Sequence, residues 1–136
     1  MPQPQWIQIL WSKKPAASGE MAAALVPDKR ALVLFEDNLS PVRKWQTELL
    51  KMDQDALRAM DIAVICVSAD EGPSMINGRP QSLPVVDLRR ELQGGDGKFE
   101  AILIDKDANI LLRSDAPVTI AQIEEAVSGE NGITTP

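Results

Sequence analysis

Ala31-Leu-Val-Leu-Phe-Glu36, followed at once by Asp37-Asn-Leu-Ser-Pro41, is the stretch from which the fold is read. The apolar run has charge on both sides and no polar face, so it predicts a strand buried on both sides, as in a parallel sheet. Ser40 then supplies a hydroxyl suited to an N-cap, and Pro41 has the φ of a first helical residue. A helix is predicted from here, with Val42, Trp45, Leu49, Met52, Ala56 and Met60 recurring in steps of three and four along one stripe. Ile62-Ala-Val-Ile-Cys-Val-Ser68 is a second buried strand, which completes a β-α-β unit with parallel strands and a right-handed crossover.

Outward from this unit the patterns weaken. Between Ala69 and Pro84 the chain carries Gly72-Pro73, Asn77-Gly78, Pro80 and Pro84, and so many breakers predict a long surface loop. Val85 to Leu92 predicts a short helix with Val85, Leu88 and Leu92 on one side, ended by Gly94-Gly95-Asp-Gly97. Phe99–Ile104 and Asn109–Arg113 are short apolar strands around the polar turn Asp105-Lys-Asp-Ala108, an antiparallel hairpin. Thr119-Ile-Ala-Gln122 is a capping box, and Ile120, Ile123 and Val127 follow at helical spacing before Gly129. In the first 29 residues, Trp6–Trp11 reads as an edge strand and Ser18–Val26 as a short helix ending before Pro27. The expected organisation is an N-terminal extension or first strand and helix over 1–29, one domain over 30–128 and a fraying tail over 129–136. The fold class is α/β, a central mixed sheet with β-α-β then β-β-α order.

Composition narrows the chemistry. The 136 residues are 44% hydrophobic and 25% charged, ordinary values for a globular chain able to bury its own core. A net charge of −6 repels phosphate backbones, so no nucleic acid partner is expected. No apolar run approaches the ~20 residues of a membrane helix, so no membrane insertion is expected. The start, Met1-Pro-Gln-Pro-Gln-Trp-Ile-Gln-Ile-Leu-Trp11, lacks the charged and apolar regions of a secretory signal. A cytoplasmic location follows from the sequence as given, and a periplasmic or secreted one if an export signal was removed. The chain has no histidine, which excludes Ser-His-Asp and Cys-His triads, the two-histidine zinc helix and histidine-ligated haem within it. Its one cysteine, Cys66, excludes an internal disulfide.

The element order, with a long helix after the first central strand and a hairpin plus helix at the end, resembles the thioredoxin arrangement, a three-layer sandwich. Phe35-Glu-Asp-Asn-Leu-Ser-Pro-Val-Arg-Lys44 lies where thioredoxins carry Phe-x-x-x-x-Cys-Gly-Pro-Cys-Lys, so Ser40 and Arg43 stand at the two cysteine positions and the redox pair is absent. Lys98 to Arg113 resembles the Leu-Ile-Asp-Lys-Asp-Gly hairpin of peroxiredoxin-like proteins, without the proline that usually precedes that strand. Arg30-Ala-Leu-Val-Leu-Phe35, the hairpin and Ser114-Asp-Ala-Pro-Val-Thr-Ile-Ala-Gln-Ile-Glu-Glu125 together resemble an uncharacterised bacterial family of single thioredoxin-like domains, related to the DUDES domains of animal extracellular-matrix proteins of the sushi-repeat type. That family often ends its last helix with a Met-Pro-Met-Arg-like motif, where this chain has Val127-Ser-Gly-Glu130. The resemblance implies a fold and a lack of known activity, and no mechanism; the leading reading of the chain is a redox-inactive thioredoxin-like binding or scaffold module.

Candidate sites follow from residue chemistry. Cys66 lies inside an apolar strand with no basic neighbour in sequence, which predicts a buried, inert thiol. The start of the long helix presents unpaired N–H groups and the positive end of a dipole, to which Ser40 and Arg43 would add donors for a small anion. Glu36-Asp37 and Asp70-Glu71 follow the two parallel strands, where open α/β sheets bind ligands. Their carboxylates would suit Ca²⁺ or Mg²⁺, although such residues are also ordinary solvated loop residues. The ligand edge is thus Asp37, Ser40, Arg43 and Asp70, with a protein or small ligand as partner, and no catalytic residue, cofactor or resident metal is assigned. The alternative is an enzyme of non-thiol chemistry using carboxylates, with or without a divalent metal, at the same edge. Asp105-Lys-Asp-Ala-Asn109 and Gly94-Gly95-Asp-Gly97 read as turns. Trp45 belongs to the helix stripe, while Trp6 and Trp11 pack on the domain edge or offer a docking patch.

Overall fold

The computed structural model describes residues 19–35, 46, 51, 53–67, 74–94 and 98–131. Among them the chain is mixed α/β, with helices α1 (Glu20–Leu25), α2 (Gln54–Ala59), α3 (Val85–Leu92) and α4 (Ile120–Asn131). The strands are β1 (Arg30–Phe35), β2 (Ile62–Val67), β3 (Ser74–Ile76), β4 (Arg79–Gln81), β5 (Glu100–Ile104) and β6 (Ile110–Ser114). They form one open sheet in the order β4-β3-β2-β1-β5-β6, in which β1 and β2 are parallel and the other pairings antiparallel.

β1 is central because it has no polar face to give to water. Ala31, Val33 and Phe35 enter a cluster with Ala63, Ile65, Val67, Ile102 and Ile104, covered by Ala22 and Val26 near α1 and by Leu88 and Leu92 of α3. Leu32 and Leu34 point the other way, into a cluster with Ile62, Ala101 and Leu103, covered by Leu57 of α2 and Ile123 of α4. Each fully buried Leu, Ile, Val or Phe contributes about 1.5–3 kcal/mol relative to exposure, so the double-faced run fixes both the strand and its place in the sheet. Glu91 of α3 ties the first helix to this frame, since both carboxylate oxygens accept the Met21 N–H at 2.9 and 3.0 Å.

The structure departs from the sequence reading in four places. Gln46 and Lys51 are helical, but the predicted continuous helix to Met60 is interrupted at Asp53, whose φ of −147° is not helical. Its carboxylate accepts the Ala56 N–H at 3.2 Å and caps a new helix, α2. A side-chain acceptor competing for a helical N–H resets the helix phase. Leu57 therefore takes the buried position, and Ala56 and Met60 are only half-buried. The predicted helix start at Ser40-Pro41, with Val42, Trp45, Leu49 and Met52, lies outside the described residues, as does the Trp6–Trp11 strand.

The second departure falls within 69–84, where the predicted loop contains the hairpin β3–β4. Asn77 and Gly78 have φ of 52° and 79°, the signs a type I′ turn requires at both central residues. Asn-Gly between short strands outweighed the prolines, because Pro80 sits on β4 at the sheet edge, where a missing N–H is tolerated. Third, α3 stops at Gln93, in a left-handed conformation at φ 56°, rather than at the glycines that follow. Fourth, α4 runs to Asn131, past the expected stop at Gly129. Its start agrees with the capping box: Thr119 N–H donates to Gln122 Oε1 at 2.8 Å, and Gln122 N–H donates to Thr119 Oγ1 at 3.2 Å.

Candidate functional site

β1 and β2 run side by side with Phe35 opposite Val67 at their last pair, so the segments that follow leave the sheet from one edge. Glu36 and Asp37 come directly after the first, and Asp70 and Glu71 lie three and four residues beyond the second. Asp37, Ser40, Arg43 and Asp70 themselves lie outside the described residues, so the strand ends that launch them are what the geometry supplies. Among the described residues no group of three or more Asp, Glu or Cys side chains is placed to hold a metal ion.

The same edge carries a polar cluster that the sequence reading missed. Phe35 is opposite Glu100 at the start of β5, and β5 pairs with β6, which brings in Arg113. Arg113 Nε donates to Glu100 Oε2 at 2.6 Å, and Nη2 donates to Glu100 Oε1 and to the carbonyls of Leu92 and Gln93. The guanidinium thus pairs with a carboxylate and at the same time covers the last carbonyls of α3, where a cation is favoured by the helix dipole. Gly94 lets them meet, since a Cβ there would stand 2.2 Å from Glu100 Oε1, 3.2 Å from Arg113 Nη2 and 3.2 Å from a ring carbon of Phe35. The sequence signal for this cluster is faint: a glycine after a helix, a glutamate opening one strand and an arginine near the end of its partner.

Cys66 sits inside β2, opposite Leu34 on one side and Met75 on the other. It is half-buried against the apolar cluster under α2 and α4, which corrects the expectation of full burial. Val64 and Cys66, two residues apart on the same face of β2, are both half-buried, whereas Leu32 and Leu34 of β1, which they pair with, are buried. At the opposite end of the sheet, the Asp105 carboxylate accepts the backbone N–H groups of Asp107 and Asn109, both at 2.8 Å, and the Asn109 side-chain amide at 3.3 Å. A carboxylate so engaged is shaping a turn, as its sequence suggested.

No described helix is long and apolar enough to cross a membrane. No curated protein and no solved structure matches the chain. A family model does match, over residues 23–127, which takes in the end of α1, all six strands, α2, α3 and most of α4. The chain therefore belongs to the family described as a domain of unknown function, DUF4174.

Proposed function

We propose that this chain is a thioredoxin-like domain that has given up thiol chemistry and serves as a binding or scaffold module, with its ligand at the edge where β1 and β2 end. The observation that carries the reading is the in-register pairing of Phe35 with Val67, which directs the segments bearing Asp37, Ser40, Arg43 and Asp70 from adjacent parallel strands. That juxtaposition is where open α/β sheets take ligands. The thiol inventory supports the redox-inactive half of the reading. The chain's one cysteine lies within β2, between Leu34 and Met75, with no second thiol in the chain to close or resolve a disulfide. The bacterial origin and the kinship with animal DUDES domains belong to the same proposal and rest on the sequence motifs alone.

The experiment is a thermal-shift screen of the whole chain over divalent metals, nucleotides, small metabolites and peptides, since a ligand at one hundred times its Kd stabilises by about 2.7 kcal/mol. A hit is then measured against Ser40→Asp, which keeps a side-chain acceptor but adds negative charge where the sequence predicts a helix start. An anionic ligand at this edge loses binding in the variant. A cation held by Asp37 and Asp70 binds as well as before or better, which would favour the carboxylate enzyme reading. Disulfide reduction or peroxide turnover that disappears in Cys66→Ser overturns the proposal.

A further inference from the structure

The Asn77-Gly78 turn joins β3 to β4, and four features of it converge on one reaction. Both residues are exposed. Nothing lies within 4 Å of where a Gly78 side chain would be, so no packing from the rest of the fold holds the tip of the turn. The Gly78 N–H has no hydrogen-bond partner among the described residues. The Asn77 carbonyl oxygen Oδ1, in contrast, accepts the Val64 N–H at 2.8 Å. An asparagine amide is attacked by the backbone nitrogen of the next residue, and glycine in that place offers the least hindrance.

We propose that Asn77 is a deamidation site whose chemistry the turn promotes. The deprotonated Gly78 nitrogen attacks Asn77 Cγ, and negative charge develops on Oδ1, where the Val64 N–H is already in place to stabilise it. The bond from Cγ to the side-chain nitrogen breaks, ammonia leaves and a succinimide forms. Water then opens the ring at either carbonyl to give aspartate or isoaspartate. The balance is one amide and one water to one carboxylate and one ammonium, with no oxidant or cofactor.

The product matters because Asn77 holds the hairpin to the sheet. Besides the side-chain bond, its own N–H donates to the Val64 carbonyl at 2.8 Å, beyond the last β2–β3 pair at Ile65 and Ile76. Aspartate retains both contacts. Isoaspartate inserts a methylene into the main chain at the turn and pulls both out of register, loosening β3 and β4 from β2.

The test is to age the whole chain in mildly alkaline buffer beside a synthetic peptide of residues 74–81, and to follow isoaspartate by peptide mapping. Mapping is needed because Asn131-Gly132 is a second Asn-Gly pair. Isoaspartate forming at 77 in the folded chain faster than in the peptide supports the proposal. A rate at or below the peptide's overturns it, because the turn then does not promote the reaction. Amide hydrogen exchange of the aged protein should show faster exchange confined to β3, β4 and Val64. Asn77→Asp keeps an acceptor and should leave exchange unchanged, and equal loosening in that variant would refute the assigned role of the inserted methylene.

Discussion

Replacing Gln46 with leucine tests how the helical segment after β1 is joined to the entry of α4. Gln46 is fully buried, its Nε2 donating to the Val118 carbonyl at 2.9 Å and its Oε1 accepting the Val118 N–H at 2.6 Å. Val118 is fully buried as well, so its backbone groups have no water to turn to. Leucine fills similar space but orphans both groups, at ~1–3 kcal/mol each. Its own apolar burial offsets ~1–2 kcal/mol, leaving a loss of about 3 kcal/mol. With an m value of ~1–3 kcal/mol/M, the urea midpoint should fall by about 1–3 M at unchanged m. Gln46→Glu adds a check of sign. A carboxylate still accepts the Val118 N–H, but its second oxygen faces the Val118 carbonyl, and burial together with that repulsion raises its pKa in the folded state. The folded state then binds more protons than the unfolded one, so relative to the wild type the variant loses least below about pH 4 and loses more as pH rises through the folded-state pKa. A midpoint change under about 0.3 M for leucine, or a glutamate variant insensitive to pH, would refute the account of this contact.

Three further outcomes follow from the described contacts. Asp53→Ala removes the acceptor that caps α2 and should cost ~1 kcal/mol by urea unfolding, whereas Asp53→Asn should be nearly neutral; equal losses would mean that the break in the helix does not depend on the cap. Cys66→Ala, at a half-buried strand position, should cost ~1 kcal/mol and Cys66→Asp more, because the carboxylate meets the apolar cluster under α2 and α4; equal tolerance of both would place the thiol at the surface. Gly94→Ala drives Glu100 away from Arg113 and should cost ~1–2 kcal/mol, and in combination with Glu100→Gln the losses should be less than additive, which a double-mutant cycle in urea measures.

The central frame was legible because its residues carry strong, redundant signals. An apolar run without a polar face permits only a doubly buried strand, and the Thr119–Gln122 spacing permits little but a capping box, so β1, β2, β5, β6, α3 and the start of α4 follow from local chemistry. The hairpin β3–β4 does not follow from composition, in which so many breakers predict a loop. The decisive fact is the conformation that Asn77-Gly78 prefers and the edge position that excuses Pro80. The interruption at Asp53 was missed because apolar periodicity passes smoothly through it, while a single carboxylate competing for the Ala56 N–H decides where the helix restarts.

The polar cluster at the candidate edge shows why site chemistry is harder to read than fold. Arg113 and Glu100 are thirteen residues apart and meet Leu92 and Gln93 only after β5 and β6 have paired and α3 has docked. No window of sequence contains that arrangement. Once it forms, the charges are largely spent on one another: the carboxylate neutralises the guanidinium, and the end of α3 takes its remaining contacts. An incoming anion would compete with Glu100 and face the negative end of a helix dipole, so Arg113 anchors the α3–β5 corner and is a poor ligand for it. On the proposed reading, selectivity at this edge would then fall to the residues that follow β1 and β2, where the carboxylates of Asp37 and Asp70 would favour a cation and Ser40 and Arg43 an anion. Their opposite preferences are why the response of binding to Ser40→Asp, in sign more than in size, identifies the class of ligand.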